Sequence, residues 1–296
     1  MECPNCHFDH PEQSTTCLRC GIIFAKYARH QEAHLATPVP ATAEITDLSA
    51  LQEERSELRY RIVALPMALL LAWMLANTGG GFFLRTFIGM WVHESGHAVT
   101  AWLAGFGAFP GPWFTPVSDE RMTTVIVAVA IGLGFGLYHA WRSQRWFLTA
   151  GFAALLVMQL ILSTRSHTKA NALIIFGGDG GALILGTLLM TSFYVSRDSS
   201  IYRGALRWGF LVIGAGGFMD SFSTWWHARH DYSVIPFGEN VGICLSDPTR
   251  LVDEYGWGVE AMVNRYVWLG IGCLLVLALL YALGIVQSRN KLRSTH

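Results

Sequence analysis

Residues 90–105 read MWVHESGHAVTAWLAG, two histidines and a glutamate inside an otherwise apolar, helix-like run. Ionisable groups in such a setting are costly unless they pair or bind something. His93 and His97 stand at i and i+4, one turn apart on one helix face, so both imidazoles can reach a single metal ion. Glu94 is the next residue, turned by about 100° round the helix, where its carboxylate can hold a water on that metal. Neutral imidazole suits zinc. Two imidazoles and a third ligand leave one position for water, whose pKa the metal lowers toward ~7 so that Glu94 can take its proton. Phe87, Ile88, Trp91, Val92 and Leu103 surround the motif and separate it from a wet helix face that carries such residues by chance. A satisfied polar cluster or an interfacial amphipathic helix is the competing reading.

The composition supplies the setting. The chain has 296 residues, is 52% hydrophobic and 14% charged, and has a mean hydropathy of +0.36. Those values point to a mostly α, polytopic transmembrane bundle in a plasma or inner membrane, with the lipid bilayer as its first partner. Its 21 basic and 21 acidic residues cancel, so no nucleic-acid partner is expected. No basic n-region followed by an apolar stretch opens the chain, so no cleavable signal peptide is expected. Seven apolar stretches approach the ~20 residues that a bilayer requires, near 62–78, 82–105, 122–141, 146–163, 171–195, 205–222 and 267–287. With seven crossings the basic residues split evenly and the positive-inside rule does not orient the chain. If 205–222 fails to cross, a six-span chain results. Neither an internal repeat nor a low-complexity tract is evident.

The cysteines define a second site. Cys3, Cys6, Cys17 and Cys20 form CPNC and CLRC. Two C-x-x-C turns facing each other offer four sulfurs to a structural zinc with no open position. This predicts a zinc ribbon over 1–26, cytosolic and suited to a cytosolic protein partner, with His7 or His10 able to replace a cysteine. Two disulfides are the weaker alternative. Cys244 and Cys273 read as free, buried thiols. Residues 27–61 read as a linker, QEAHLATPVPATAE, and a juxtamembrane helix spaced by Ile45, Leu48, Leu51 and Leu58. The transmembrane domain occupies 62–287, and 288–296 form a tail.

The stretch VHESGHAVTAWLAG resembles the H-E-x-G-H helix of the site-2 protease family of intramembrane zinc metalloproteases. In that family an Asp-Gly pair on a later transmembrane helix supplies the third metal ligand. Asp179 and Gly180, in FGGDGGALILGTLL, are similar to that pair. The Asn-Pro that usually precedes it is missing, and two apolar stretches rather than one separate the motifs. The resemblance covers about residues 82–195 and implies a zinc endopeptidase with His93, His97 and Asp179 as ligands and Glu94 as the catalytic base. Helix geometry points the same way. With 122–141 and 146–163 both crossing, the motif helix and 171–195 run antiparallel, and His97 and Asp179 lie at matched depths of ~12 Å. The glycines at 177, 178, 180 and 181 permit close helix approach. Asp220, His227, His230 and Glu260 are rival ligands.

FGAFPGPWFTPVSDE follows the motif helix and is too broken to span yet too apolar for an ordinary loop. It reads as a re-entrant element or an interfacial loop anchored by Trp113. In the resembling family an extended element there pairs with the substrate backbone. No G-x-S-x-G is present, so serine chemistry is disfavoured and Ser95 is a small spacer. The expected activity is hydrolysis of peptide bonds in membrane-embedded proteins or peptides. The alternative is a non-proteolytic, metal-binding receptor or scaffold.

Overall fold

The computed structural model describes residues 1–11, 14–35, 41–197, 199–240 and 244–294. The chain divides into two compact units, Met1–Glu57 with Leu292–His296, and Leu58–Lys291.

The first unit begins with two turns of the same build. In each, the residue after the second cysteine turns the chain with a positive φ, 56° at His7 and 74° at Gly21. The Cys3 and Cys17 N–H groups donate to Phe8 and Ile22 carbonyls at 3.0 and 2.8 Å. His7 and Gly21 N–H groups donate back to Cys3 and Cys17 carbonyls, both at 2.9 Å. Isolated bridges, Glu2 to Asp9 and Thr16 to Ile23, close the two turns identically. The two turns form a short structural repeat, where the sequence shows none beyond the paired C-x-x-C. Helix α1 (Phe24–Leu35) follows, and α2 (Ala41–Ala76) begins in this unit. The expected linker is therefore helical at both ends, since its Gln, Glu, Ala and Leu residues favour helix. Residues 36–40 of it lie outside the described residues.

In the second unit α3 (Gly81–Leu84), a π-helical turn (Arg85–Gly89) and α4 (Met90–Ala104) run continuously into the motif. A left-handed Gly105, φ 88°, ends α4. An antiparallel hairpin of β1 (Phe106–Ala108) and β2 (Val117–Arg121) leads to α5 (Thr123–Arg142), α6 (Trp146–Thr164) and α7 (His167–Thr191). Short α8 (Ser200–Arg203) precedes α9 (Leu206–Ala228). A second small hairpin, β3 (Glu239–Asn240) with β4 (Cys244–Leu245), leads to α10 (Asp247–Asp253) and the long α11 (Val259–Ser294). Among the described residues five helices are long and apolar enough to cross a membrane: Leu51–Ala76, Thr123–Arg142, Trp146–Thr164, His167–Tyr194 and Val259–Arg293. The expected stretches 82–105 and 205–222 are helical but are not among these five. In the first the π turn leaves α4 only 15 residues of regular α-helix, and α9 carries Arg207 and Asp220.

The direction of the helices differs from the seven-span expectation. Tyr60 packs edge-on against Trp208 near the start of α9, and Asn77 donates to Ser223 Oγ near its end, so α2 and α9 run parallel. Helix α4 also runs that way, because His93 meets Asp179 while His97 meets Ile174 earlier in the antiparallel α7. Thus 62–78 and 82–105 are not two opposed crossings. The chain reaches the end of α2 beside Ser223, turns, and continues through α3 and α4 in the same sense.

Small residues let α4, α7 and α9 approach closely. A Cβ on Gly96 would overlap the Gly177 carbonyl oxygen and lie 2.9 Å from Gly181 Cα. A Cβ on Gly186 would lie 2.7 Å from Gly214 O. The expected packing role of the 177–181 glycines is met where α4 and α7 touch. Gly132, by contrast, has nothing within 4 Å of its Cβ position. Gly96→Ala should destabilise the bundle by about 1–3 kcal/mol or more, because the opposing atoms are backbone and cannot rotate away. Gly132→Ala should leave the thermal midpoint in detergent unchanged or slightly raised. Equal midpoints for the two variants would contradict this packing.

Candidate metal centres

Helix α4 presents His93 and His97 toward α7, and each ring is oriented by an acceptor behind it. His97 Nδ1–H donates to the Ile174 carbonyl at 2.7 Å. His93 Nδ1–H donates to Asp179 Oδ1 at 3.0 Å. Asp179 is itself fixed by Ser221 Oγ–H on Oδ1 at 3.0 Å and by Trp225 Nε1–H on Oδ2 at 2.8 Å. These partners place the ring protons on Nδ1 and turn both Nε2 lone pairs inward.

The two Nε2 atoms lie 3.1 Å apart, and each lies 3.0 Å from Asp247 Oδ2. Two imidazole lone pairs and a carboxylate oxygen repel one another at that range unless a cation lies between them. The triangle is close to the ~3.3 Å ligand spacing of a tetrahedral zinc. Gly178 completes the cradle: a Cβ there would come within 2.6 Å of both Nε2 atoms. The donor set and the space both fit a metal ion held by His93, His97 and Asp247.

Asp247 is the residue that sequence reasoning missed, and it takes the place expected of Asp179. Asp179 meets the motif helix at the depth expected of it, but on the Nδ1 side of His93, where it orients a ligand rather than joining the triangle. Asp247 opens α10, preceded by Ser246 and followed by Pro248, a pattern that reads as an ordinary helix start. It lies in a polar loop, so helix-depth matching could not find it. Tertiary packing brings it in. Pro248 and Leu251 are buried, and Leu251 joins the cluster of Ala172, Ile175, Trp225, Met262 and Tyr266. Thr249 Oγ1 accepts from the Gly238 N–H at 2.8 Å.

The rivals have other roles. Asp220 pairs with Arg85, whose Nε–H reaches both carboxylate oxygens at 3.3 Å. His227 Nδ1–H donates to Ser223 O at 2.7 Å, and Glu260 stands in the first turn of α11. Among the described residues no metal-ligand cluster includes Asp220, His227, His230 or Glu260.

Glu94 is buried. The Thr115 hydroxyl donates to its Oε2 at 2.7 Å and also lies 3.0 Å from its carbonyl oxygen. Thr115 belongs to the segment between β1 and β2, whose Phe109, Trp113 and Phe114 are exposed. Ser95 Oγ–H donates to the Trp91 carbonyl within α4, in keeping with a spacer.

The four N-terminal sulfurs lie within 4.8 Å of one another, with Cys3 to Cys20 at 3.7 Å and Cys6 to Cys17 at 3.5 Å. All four are free of disulfides. Hydrogen bonds from the Ile22 backbone N–H and, next, from Cys17 lower the Cys20 thiol to about 6. Buried His10 places Nε2 3.2 Å from Cys17 Sγ, behind the cluster, and His7 turns outward to Glu2. Neither replaces a cysteine. Cys273 is free and buried, as expected; the Cys244 side chain lies outside the described residues.

Elemental analysis of the purified chain should find two metal ions, one lost in Cys17→Ser and the other in Asp247→Ala. Asp179→Asn should keep the bundle metal but weaken it about 10–100-fold in chelator competition. Loss of that metal in Asp179→Asn with full retention in Asp247→Ala would exchange the two roles. No family model, curated protein or solved structure matches the chain.

Proposed function

We propose that this chain is an intramembrane zinc metallopeptidase that hydrolyses peptide bonds in membrane-embedded proteins. The observation that carries the reading is the open triangle of His93 Nε2, His97 Nε2 and Asp247 Oδ2 with Glu94 on the adjacent helix position. The resemblance of the H-E-x-G-H helix and the Asp-Gly pair to the site-2 protease family supports it, with Asp179 cast as the residue that orients His93. The ribbon carries a second, structural zinc and suits a cytosolic protein partner.

A zinc ion in the triangle supplies a Lewis acid that polarises a carbonyl and lowers the pKa of water toward ~7. The protein does the rest. Glu94 accepts the proton of the attacking water and returns it to the leaving amine nitrogen. Thr115 occupies Glu94 Oε2 and holds the carboxylate in one rotamer, which leaves Oε1 to carry the proton. Asp179 and the Ile174 carbonyl keep both imidazoles in the tautomer that binds through Nε2.

Glu94→Gln should retain two zinc ions and lose proteolysis of co-reconstituted single-span membrane proteins by about 10²–10⁴-fold, the range for a general acid–base residue. His227→Ala and Glu260→Ala should keep both metal and activity. Undiminished function of Glu94→Gln would instead support a metal-dependent receptor or scaffold.

A further inference from the structure

We infer that the His93–His97–Asp247 site faces the non-cytosolic side of the membrane, so that the bonds it cleaves lie at the outer boundary of the bilayer. The second clause rests on the peptidase reading; the first does not.

Contacts within the second unit fix which helix ends lie together. Arg61 donates to the Tyr194 and Val195 carbonyls at 3.5 and 3.0 Å, and Tyr281 Oη–H donates to the Ile62 carbonyl at 3.0 Å. Tyr60 meets Trp208. The entry into α2, the end of α7, the start of α9 and the late part of α11 therefore share one end of the bundle. At the other end Arg121 donates to the Ala104 and Leu162 carbonyls, and His167 Nε2 lies 2.7 Å from the Asp119 carbonyl. The end of α4, the first hairpin, the end of α6 and the start of α7 meet there. Asp247 enters from the loop that joins α9 to α11 at this same end. His97 stands seven residues before Ala104, and Ile174 seven residues after His167, so the site lies about 10 Å beneath that surface.

Because α2 and α4 run in one direction, they carry the chain across once. Helices α5, α6, α7, α9 and α11 then alternate. Both ends of this unit lie on one side and the metal site opens toward the other. Helix α9 makes its crossing packed against α7 at Gly186 and Gly214 and against α4 at Val92, where it need not be as apolar as a lipid-facing span.

This path also separates the charges. The entry end carries Arg59 and Arg61, Arg142 and Arg145 of the α5–α6 turn, and Arg197 and Arg203 before α9. Arg207 at the start of α9 and Arg289 and Lys291 at the end of α11 add to it. The site end carries Arg121, Arg165, Lys169, Arg229, Arg250 and Arg265, set among Asp119, Glu120, Asp231, Asp253, Glu254 and Glu260. The excess of Lys and Arg at the entry end places that end in the cytosol. The seven-span arrangement had spread the same charges evenly only because it reversed the chain between α2 and α4.

The test is cysteine labelling of the full chain bearing Cys244→Ser and Cys273→Ser, with Asp253→Cys or Gln144→Cys added. Both positions are exposed. A membrane-impermeant maleimide added to intact cells should label Asp253→Cys fully, whereas Gln144→Cys should react only after permeabilisation. The parent without an added cysteine sets the background from the ribbon thiols. The opposite pattern, or labelling of both positions from one side, overturns the inference. A C-terminal reporter gives a second reading: fluorescence of a cytosolic-type reporter is expected, and activity of an export-dependent phosphatase overturns it. Both measurements read sidedness whether or not the protein cuts anything, so their failure leaves the peptidase reading standing, and loss of that reading leaves them valid.

Discussion

The contact between α4 and α7 is the constraint on which the site depends. Gly96 sits against Gly177 and Gly181 with no room for a Cβ on either side. Only at that separation can His97 Nδ1 reach the Ile174 carbonyl and His93 Nδ1 reach Asp179. A helical carbonyl that accepts a second hydrogen bond and a half-buried carboxylate that accepts three are both satisfied there, which removes the penalty of placing them in an apolar bundle. The same bonds choose the imidazole tautomers. Packing, polar satisfaction and ligand orientation are thus one arrangement seen at three scales.

Around that contact the site draws on three separate pieces of chain. Helix α4 brings two imidazoles and Glu94. The segment between β1 and β2 brings Thr115, which holds Glu94. The loop after α9 brings Asp247 through a short helix whose Pro248 and Leu251 are buried in the bundle. Trp225 and Tyr266 stack at 4.1 Å and Phe176 with Tyr266 at 4.4 Å, an aromatic wall that also supplies the Trp225 N–H to Asp179. Anchoring Asp247 in this wall makes a loop residue as well placed as the helical ligands.

The ribbon follows a different logic. Its four ligands come from two copies of one turn, and local backbone bonds alone set their spacing. Such a cluster needs little core if it holds an ion, as its four thiols could. The bundle group has the opposite character: its atoms come from residues as far apart in sequence as His93 and Asp247, and only helix packing brings them together.

The sequence by itself determined what is local or periodic. C-x-x-C spacing identified the cluster of Cys3, Cys6, Cys17 and Cys20, the i, i+4 histidines identified the side of α4 that faces Asp247, and long apolar runs marked the five membrane-length helices along with two stretches, 82–105 and 205–222, that are not among them, because each property repeats within a few residues. Matched helix depth brought Asp179 to the right height but could not say which imidazole nitrogen it would face. That depends on helix rotation, which the glycine contacts of α4 and α7 decide. Asp247 was out of reach for a related reason: a loop carries no period, so where its tip folds is settled only by what Leu251 packs against. The sense of α2 and α4 was likewise a tertiary matter. Hydropathy measures length and apolarity but not direction, and only the contacts of Tyr60 and Asn77 with α9 and of His93 and His97 with α7 revealed that the two run together.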